Sequence, residues 1–397
     1  MLKNKSITEK KRNIEEAVDR RDSELRQLAL NIHANPELGY QEYKASNWLS
    51  TLLEKEGFAV KRGIAGLDTA FTATWAGKAG GPVIGLLAEY DALPGLGHAC
   101  GHNLIGTSSV GAALALKDAF PELQATIQLI GTPAEEGLGG KVIMCEHGVF
   151  NHLDAAMMCH PKNKTMVIRG GLARVGATFK FYGKESHAAS APEKGVSALD
   201  ALVGAYNAIN SLRQFFSDDV RIHGVITHGG DAANIVPGYS EASFLIRCNT
   251  RKELEHVKEK VYTAVRQSAA AVGATSKIEE HLIYAERNTN KTLANLFKEN
   301  LQLMGIEVSP PPLQGGIGSS DIGNVSQLVP TIHPYIKIGE ATNHTHDFTN
   351  ETKSEGGLKG MNQAAKALAM TAYDLCELPG ALQGVKEEFA NWQLENV

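Results

Sequence analysis

Apolar residues recur at helical spacing over residues 15–33 (Ala17, Leu25, Leu28, Ala29 and Ile32, with charges between them), predicting an opening helix that ends near Pro36. A second helix is expected over 42–55, closed by Gly57. The pattern then turns to β-rich runs at 70–75 and 82–88. The latter is continuously apolar, as a strand covered on both faces must be. A small-residue helix over 102–119 follows, then a buried strand at 125–130, a short helix at 139–146 and a strand at 155–159. Strand and helix alternating in this way predict an α/β fold with a helix-covered, mixed but largely parallel sheet.

After His160 the order changes. Strand 173–182, helix 196–215, strands 220–227 and 241–248, helix 251–272 and strand 276–281 read as β-α-β-β-α-β, a ferredoxin-like α+β unit. From about residue 284 the first style resumes, with helices over 291–304 and 355–376 around an apolar strand at 331–338. The expected organisation is one α/β domain over 1–171 and 284–397, interrupted by an α+β domain over 172–283.

Composition narrows the function classes. A chain of 397 residues is long for one core and comfortable for two. With 43% hydrophobic and 21% charged residues, wholesale disorder is excluded. A net charge of −5 argues against a nucleic-acid partner, whose phosphates need a concentrated basic surface. No apolar run approaches the roughly 20 residues that cross a bilayer, so no membrane is expected. Residues 1–16 alternate Lys and Arg with Glu and lack the apolar core of a secretion signal. The five cysteines are scattered without a CxxC spacing, which suits a reducing, cytoplasmic compartment.

Ligands of an open α/β sheet gather at the carboxyl ends of its strands. There the chain carries Glu89-Tyr90-Asp91 and Gly97-His98-Ala99-Cys100-Gly101-His102-Asn103, then Gly131-Thr132-Pro133-Ala134-Glu135-Glu136-Gly137, His160-Pro161 and Asn343-His344-Thr345-His346-Asp347. One imidazole in such a place is ordinarily a hydrogen-bonded core group; several converging on one sheet edge point to a metal. Imidazole, thiolate and carboxylate together suit Zn²⁺, Mn²⁺ or Co²⁺ rather than Mg²⁺ or Ca²⁺. Cys100 and His102, two apart, can face the same side of an extended loop. Adjacent Glu135 and Glu136 point in different directions, leaving one free to move protons while the other binds.

The stretches DALPGLGHACGHN, GTPAEEG, MMCHP, GKESHAASAPEKGVSALDA, GGDAANIVP and NHTHDF occur in this order between about Asn35 and Phe348. Together they resemble the co-catalytic metallopeptidases that include aminoacylase, carboxypeptidase G and the auxin-conjugate amidohydrolases. The branch most resembled holds the aminobenzoyl-glutamate hydrolase B subunit. The resemblance implies a di-zinc exopeptidase-like domain, an inserted lid and dimerisation domain, and a homodimer formed through that insert. It also implies metal-dependent hydrolysis of the amide bond of N-acyl amino acids or dipeptides, with two divalent ions, Zn or Mn, or Co. The implied ligands are Cys100 as the bridge (where most of the family has Asp), His102, Glu136, His160 and His344, with His346 as the competitor for the last place. Glu135 is the implied general base, Asp91 a carboxylate orienting a ligand imidazole, and His187 a donor to the substrate carbonyl. Asn234 and Arg247 match residues that grip a substrate carboxylate, and Gly318-Ser319-Ser320-Asp321 resembles a substrate loop. Residues 315–320 and 206–214 are expected to select the acyl group and amino acid.

Two rival readings stand beside it. Cys100 near His98 and His102 fits a cysteine hydrolase, although that leaves Glu135, Glu136, His160 and His344 without a role. A metal-binding or regulatory homologue that has lost turnover is the other. No GxSxG elbow is present, and Cys100 stands where the third glycine of a GxGxxG phosphate loop belongs.

Overall fold

The computed structural model describes residues 2–311 and 318–396, with side chains from Thr8 onward. The chain forms two compact units, one from the residues up to Gly170 together with those after Arg287 other than Gly318–Gly323, the other from Gly171–Arg287 with Gly318–Gly323.

In the first unit the apolar strand Val83–Ala88 lies mid-sheet, parallel to Thr126–Gly131 on one side and to Ala155–Met157 on the other. All but its first residue are buried, as an unbroken apolar run requires. Thr331–Ile332 extends the sheet in parallel beyond Ala155–Met157. At the other edge Phe71–Ala76 and then Ala59–Arg62 add antiparallel strands, so the six-stranded sheet is mixed but largely parallel. The helix His102–Ala119 is buried from His102 to Leu116, which is why its residues are so small: Gly106, Gly111, Ala112 and Ala113 let neighbouring helices and strands approach closely.

Several elements depart from the periodicity. The helix expected over 15–33 is two, Leu2–Arg20 and Asp22–Ala34. They meet at Arg21, whose guanidinium binds Asp118 at 2.6 Å and Glu56 at 2.7 Å. The strand expected over 331–338 is broken into Thr331–Ile332 and Tyr335–Lys337. Pro334 interrupts it because it has no N–H for a ladder. The strand expected over 155–159 likewise ends at Met157, and His160–Lys162 pairs in parallel with Tyr335–Lys337 as a separate two-stranded sheet. Short strand Ala59–Arg62 and helices His346–Glu351 and Ala381–Asn396 were not expected from the pattern.

The second unit is an antiparallel sheet in the order Thr275–Glu280, Ala173–Tyr182, Tyr239–Cys248, Arg221–His228. Strict alternation along Tyr239–Cys248 buries one face, where Phe244 and Ile246 pack with Leu202, Val257 and Val261 from the helices Ala198–Leu212 and Arg251–Ala271. The oxygens of Ser197 and Thr250 cap those helices, accepting from Asp200 N at 3.1 Å and Glu253 N at 3.2 Å. Past Leu212 the helix expected to reach residue 215 tightens to a 3₁₀ turn over Arg213–Phe215. Of the selecting residues expected over 315–320, those at 315–317 lie outside the described residues. Among the described residues no helix is long and apolar enough to cross a membrane.

Candidate metal centre

The loop after Val83–Ala88 brings the first donors into place. Gly101, between Cys100 and His102, has φ +80°, and a Cβ there would lie 2.3 Å from Pro161 Cγ, so only glycine fits. His102 opens the buried helix and donates from Nδ1 to Asp91 Oδ1 at 2.8 Å. The other Asp91 oxygen accepts the Glu136 amide at 2.9 Å, so this one carboxylate ties the Cys-Gly-His loop to the Glu-Glu loop. Burial pushes the Asp91 acid up, but His102, the Glu136 amide and Lys141 together outweigh it and hold it below the usual range.

Cys100 Sγ lies 3.3 Å from His160 Nε2 and 3.6 Å from His344 Nε2. His160 donates from Nδ1 to the Pro161 carbonyl at 2.7 Å, which turns its Nε2 lone pair toward the sulfur. His344 is held by a left-handed backbone, φ +67°, and by its amide, which donates to Ala99 O at 2.8 Å. Such strain in a non-glycine residue clusters at functional sites. Donor atoms of Cys100, His102 and His160 all lie within 4.8 Å of one another, and so do those of Cys100, Glu136 and His344. Cys100 is common to both groups. A third group joins His102, Glu135 and Glu136. His346 belongs to none of these groups; it begins the helix His346–Glu351 and is exposed.

These donors fit divalent cations. His102 Nε2 and Glu136 Oε1 are buried without a hydrogen-bond partner and stand 3.9 Å apart, a costly arrangement unless a cation takes their lone pairs. Burial and the Glu136 charge push the Cys100 thiol well above its ordinary value. An uncoordinated thiol held so high is no nucleophile near neutral pH, which counts against a cysteine hydrolase. His98 does not join the cluster: its Nε2 faces the Ile32 carbonyl at 3.2 Å, and burial with the neighbouring His102 and His33 lowers its pKa to about 3.

Three buried residues of the site escape a reading by motif. Glu42 accepts the Ala134 amide at 2.8 Å and the Thr69 hydroxyl at 2.9 Å. It thereby fixes Ala134, a non-glycine residue at φ +60° that sets the direction of the Glu135-Glu136 pair. Burial first, and then the Asp91 charge, raise its acid to about 7. Glu89 and Lys141, both buried, pair at 2.6 Å, and the other Glu89 oxygen lies 3.5 Å from His102 Nε2.

The remaining expected residues lie in the second unit. His187 is exposed, and its Nδ1 accepts the Ala189 and Ser190 amides, each at 3.2 Å, leaving the ring proton on Nε2. Asn234 is its neighbour through the Ala188 amide, which donates to Asn234 O at 3.0 Å. Arg247 is not: it lies toward the far end of Tyr239–Cys248, bonded to Ser319 Oγ at 2.8 Å.

Comparison with known proteins fits this geometry. Residues 171–272 match the peptidase dimerisation domain of the M20 family. The Xaa-Arg dipeptidase of Mus musculus is 42% identical over 395 residues, covering 96% of this chain and 92% of that protein. The chain belongs to the M20 metallopeptidases. As an M20 enzyme it is a metal-dependent amidohydrolase of the peptidase type, acting on C–N bonds. One component of the p-aminobenzoyl-glutamate hydrolase of Escherichia coli is 28% identical, with 94% of each chain covered. Among solved structures, a dinuclear metal-binding M20 peptidase from Bacillus subtilis shares the fold at a TM-score of 0.69 and 22% identity, covering 89% of this chain and 99% of its own. These M20 relatives favour neither rival reading.

Proposed function

We propose that this enzyme hydrolyses the amide bond of dipeptides and N-acyl amino acids, using two divalent cations held by Cys100, His102, Glu136, His160 and His344. The observation that supports it most is the convergence of these five donors into two groups that share Cys100, with Glu135 alongside. The kinship to an Xaa-Arg dipeptidase makes dipeptides with a basic C-terminal residue the first substrates to try. The mixed sulfur, nitrogen and oxygen donors suit Zn or Mn, or Co. The free cysteines suit the cytoplasm.

When bound, the cations supply the Lewis acidity that polarises the scissile carbonyl and acidifies water enough to attack at neutral pH. The chain's own groups do the rest. Asp91 keeps the His102 proton on Nδ1 and the Pro161 carbonyl does the same for His160, so both Nε2 lone pairs face the donor cluster. Glu135 takes the proton of the attacking water and delivers it to the departing amine. His187, with its proton fixed on Nε2, donates to the carbonyl oxygen as negative charge builds there. Arg247 and Asn234 grip the substrate carboxylate.

The reading includes a homodimer. Arg247 stands eight residues (247 − 239) beyond Tyr239, about 26 Å at ~3.3 Å per residue, whereas His187 and Asn234 sit in loops near the Tyr182 and Tyr239 ends of their strands. No dipeptide spans that distance. A second copy supplying His187 and Asn234 to a substrate held by Arg247 removes the difficulty.

A hydrolysis panel with the Zn- or Mn-loaded protein tests the proposal, using Xaa-Arg dipeptides, N-acyl amino acids and aminobenzoyl-glutamate. Turnover of at least one class, abolished by EDTA and restored by the metal, is expected. No turnover across the panel by metal-replete protein contradicts it.

A further inference from the structure

Three arginines stand in one row across the sheet of the second unit. The strand register sets Arg174 opposite Arg247 and Arg247 opposite Arg221, and directly opposed residues of antiparallel strands share a face. It is not the helix-covered face, because the flanking Ala173, Val175, Ile246 and Cys248 point into the core. Like charges placed directly opposite destabilise a sheet, so something must compensate the row.

Further along the same face the chain compensates itself. Lys180 is opposite Glu241 and binds Glu279 at 2.6 Å. Arg221 is also occupied: its guanidinium donates to the Asp218 and Val220 carbonyls. Arg174 and Arg247 differ, for among the described residues neither has a carboxylate partner. The Arg174 guanidinium lies 3.8 Å from the centre of the Tyr284 ring, and its Nε is buried with no hydrogen bond. Among the described residues Arg247 has the Ser319 hydroxyl alone, and burial, with Arg174 beside it, lowers its pKa. Two half-buried guanidinium groups side by side without an anion are costly. Stacking on Tyr284 fixes the plane of Arg174 while leaving its in-plane N–H groups to donate.

We infer that Arg174 joins Arg247 and Ser319 in one carboxylate clamp, which holds the C-terminal carboxylate of the substrate and makes that group a requirement. The inference rests on the role proposed above for Arg247 and adds a second guanidinium that sets specificity. Neither guanidinium takes part in bond breaking, so the clamp acts on binding and hardly on the chemical step.

The test is steady-state kinetics of the metal-loaded full chain on an Xaa-Arg dipeptide and on its C-terminal carboxamide. Arg174→Gln should raise KM for the acid about tenfold or more, the scale of a lost charge-assisted hydrogen bond, with kcat nearly unchanged. The amide, which offers no carboxylate, should show no such rise, and Arg174→Lys should recover only part of the loss because it lacks the fork. An equal loss on acid and amide, an unchanged KM for the acid, or a wild type indifferent to the carboxylate would overturn the clamp. Should wild type cleave neither compound, the hydrolytic reading fails separately, and the same two compounds serve as ligands in titration calorimetry. There, acid binding about tenfold weaker in Arg174→Gln sustains the clamp, and equal acid affinity or no binding to wild type refutes it.

Discussion

Glu42 is buried where its charge is expensive, and burial with the nearby Asp91 raises its acid from 4.5 to about 7. The folded chain thus keeps a proton that the unfolded chain gives up. The stability this proton contributes is complete below pH 4.5 and is lost as pH rises through about 7. Glu42→Gln retains an oxygen for the Ala134 amide and removes the titration. Denaturant midpoints measured from pH 5 to 7.5 should therefore fall less steeply in Glu42→Gln than in wild type, and parallel slopes would contradict the assignment. Glu42→Ala leaves the Ala134 amide unpaired, a loss of about 1–3 kcal/mol. At the neighbouring position, Glu135→Gln should keep its metal by elemental analysis yet lose about 10²-fold or more in kcat; undiminished turnover would remove Glu135 from proton transfer. Residues such as Cys100, His102 and Glu136 were legible in the sequence because rare, chemistry-bearing types gather after buried strands. Glu42 was not, because a glutamate at the start of an amphipathic helix looks like any solvated charge. Glu89 stands in the sequence just after a buried strand but without a role, and Lys141 is one ordinary charged residue until the fold buries both and pairs them.

Short, interrupted elements do much of the positioning. Ending Ala155–Met157 early and starting a new pairing at His160–Lys162 lets His160 turn toward Cys100. Gly101 permits the tight approach of the Cys100 loop to Pro161. Gly101→Ala meets both a positive φ and a 2.3 Å contact, so it should lower stability by more than about 1 kcal/mol and reduce bound metal. An unchanged melting temperature with full metal content would show that the loop adapts. At this scale periodicity located the long elements well, since Val83–Ala88, His102–Ala119 and the alternating strands of the second unit are each patterned over six residues or more. It failed where a local event overrides pattern. The break at Arg21 leaves no mark in the periodicity, and the break at Pro334 follows from one missing donor within an otherwise apolar run.

For the whole molecule, the mechanism proposed above needs a homodimer, because Arg247 is separated from His187 and Asn234 along one sheet. Assayed at substrate well below KM, His187→Ala and Arg247→Ala should each be nearly inactive alone, the first through kcat and the second through KM. Unfolded together and refolded, they should form mixed dimers in which one site has both groups intact, recovering up to about a quarter of wild-type activity if the groups act in trans and assort at random. No recovery, with mixed dimers present, would place both groups on one copy. In the proposed mechanism the metal centre depends on the Cys100 thiolate joining the two donor groups. Elemental analysis of Zn-loaded wild type against Cys100→Ala reaches that claim most directly. About two ions per chain are expected in wild type, with a clear fall in both metal content and turnover once the thiolate is gone; two ions per chain and undiminished turnover in Cys100→Ala would contradict it.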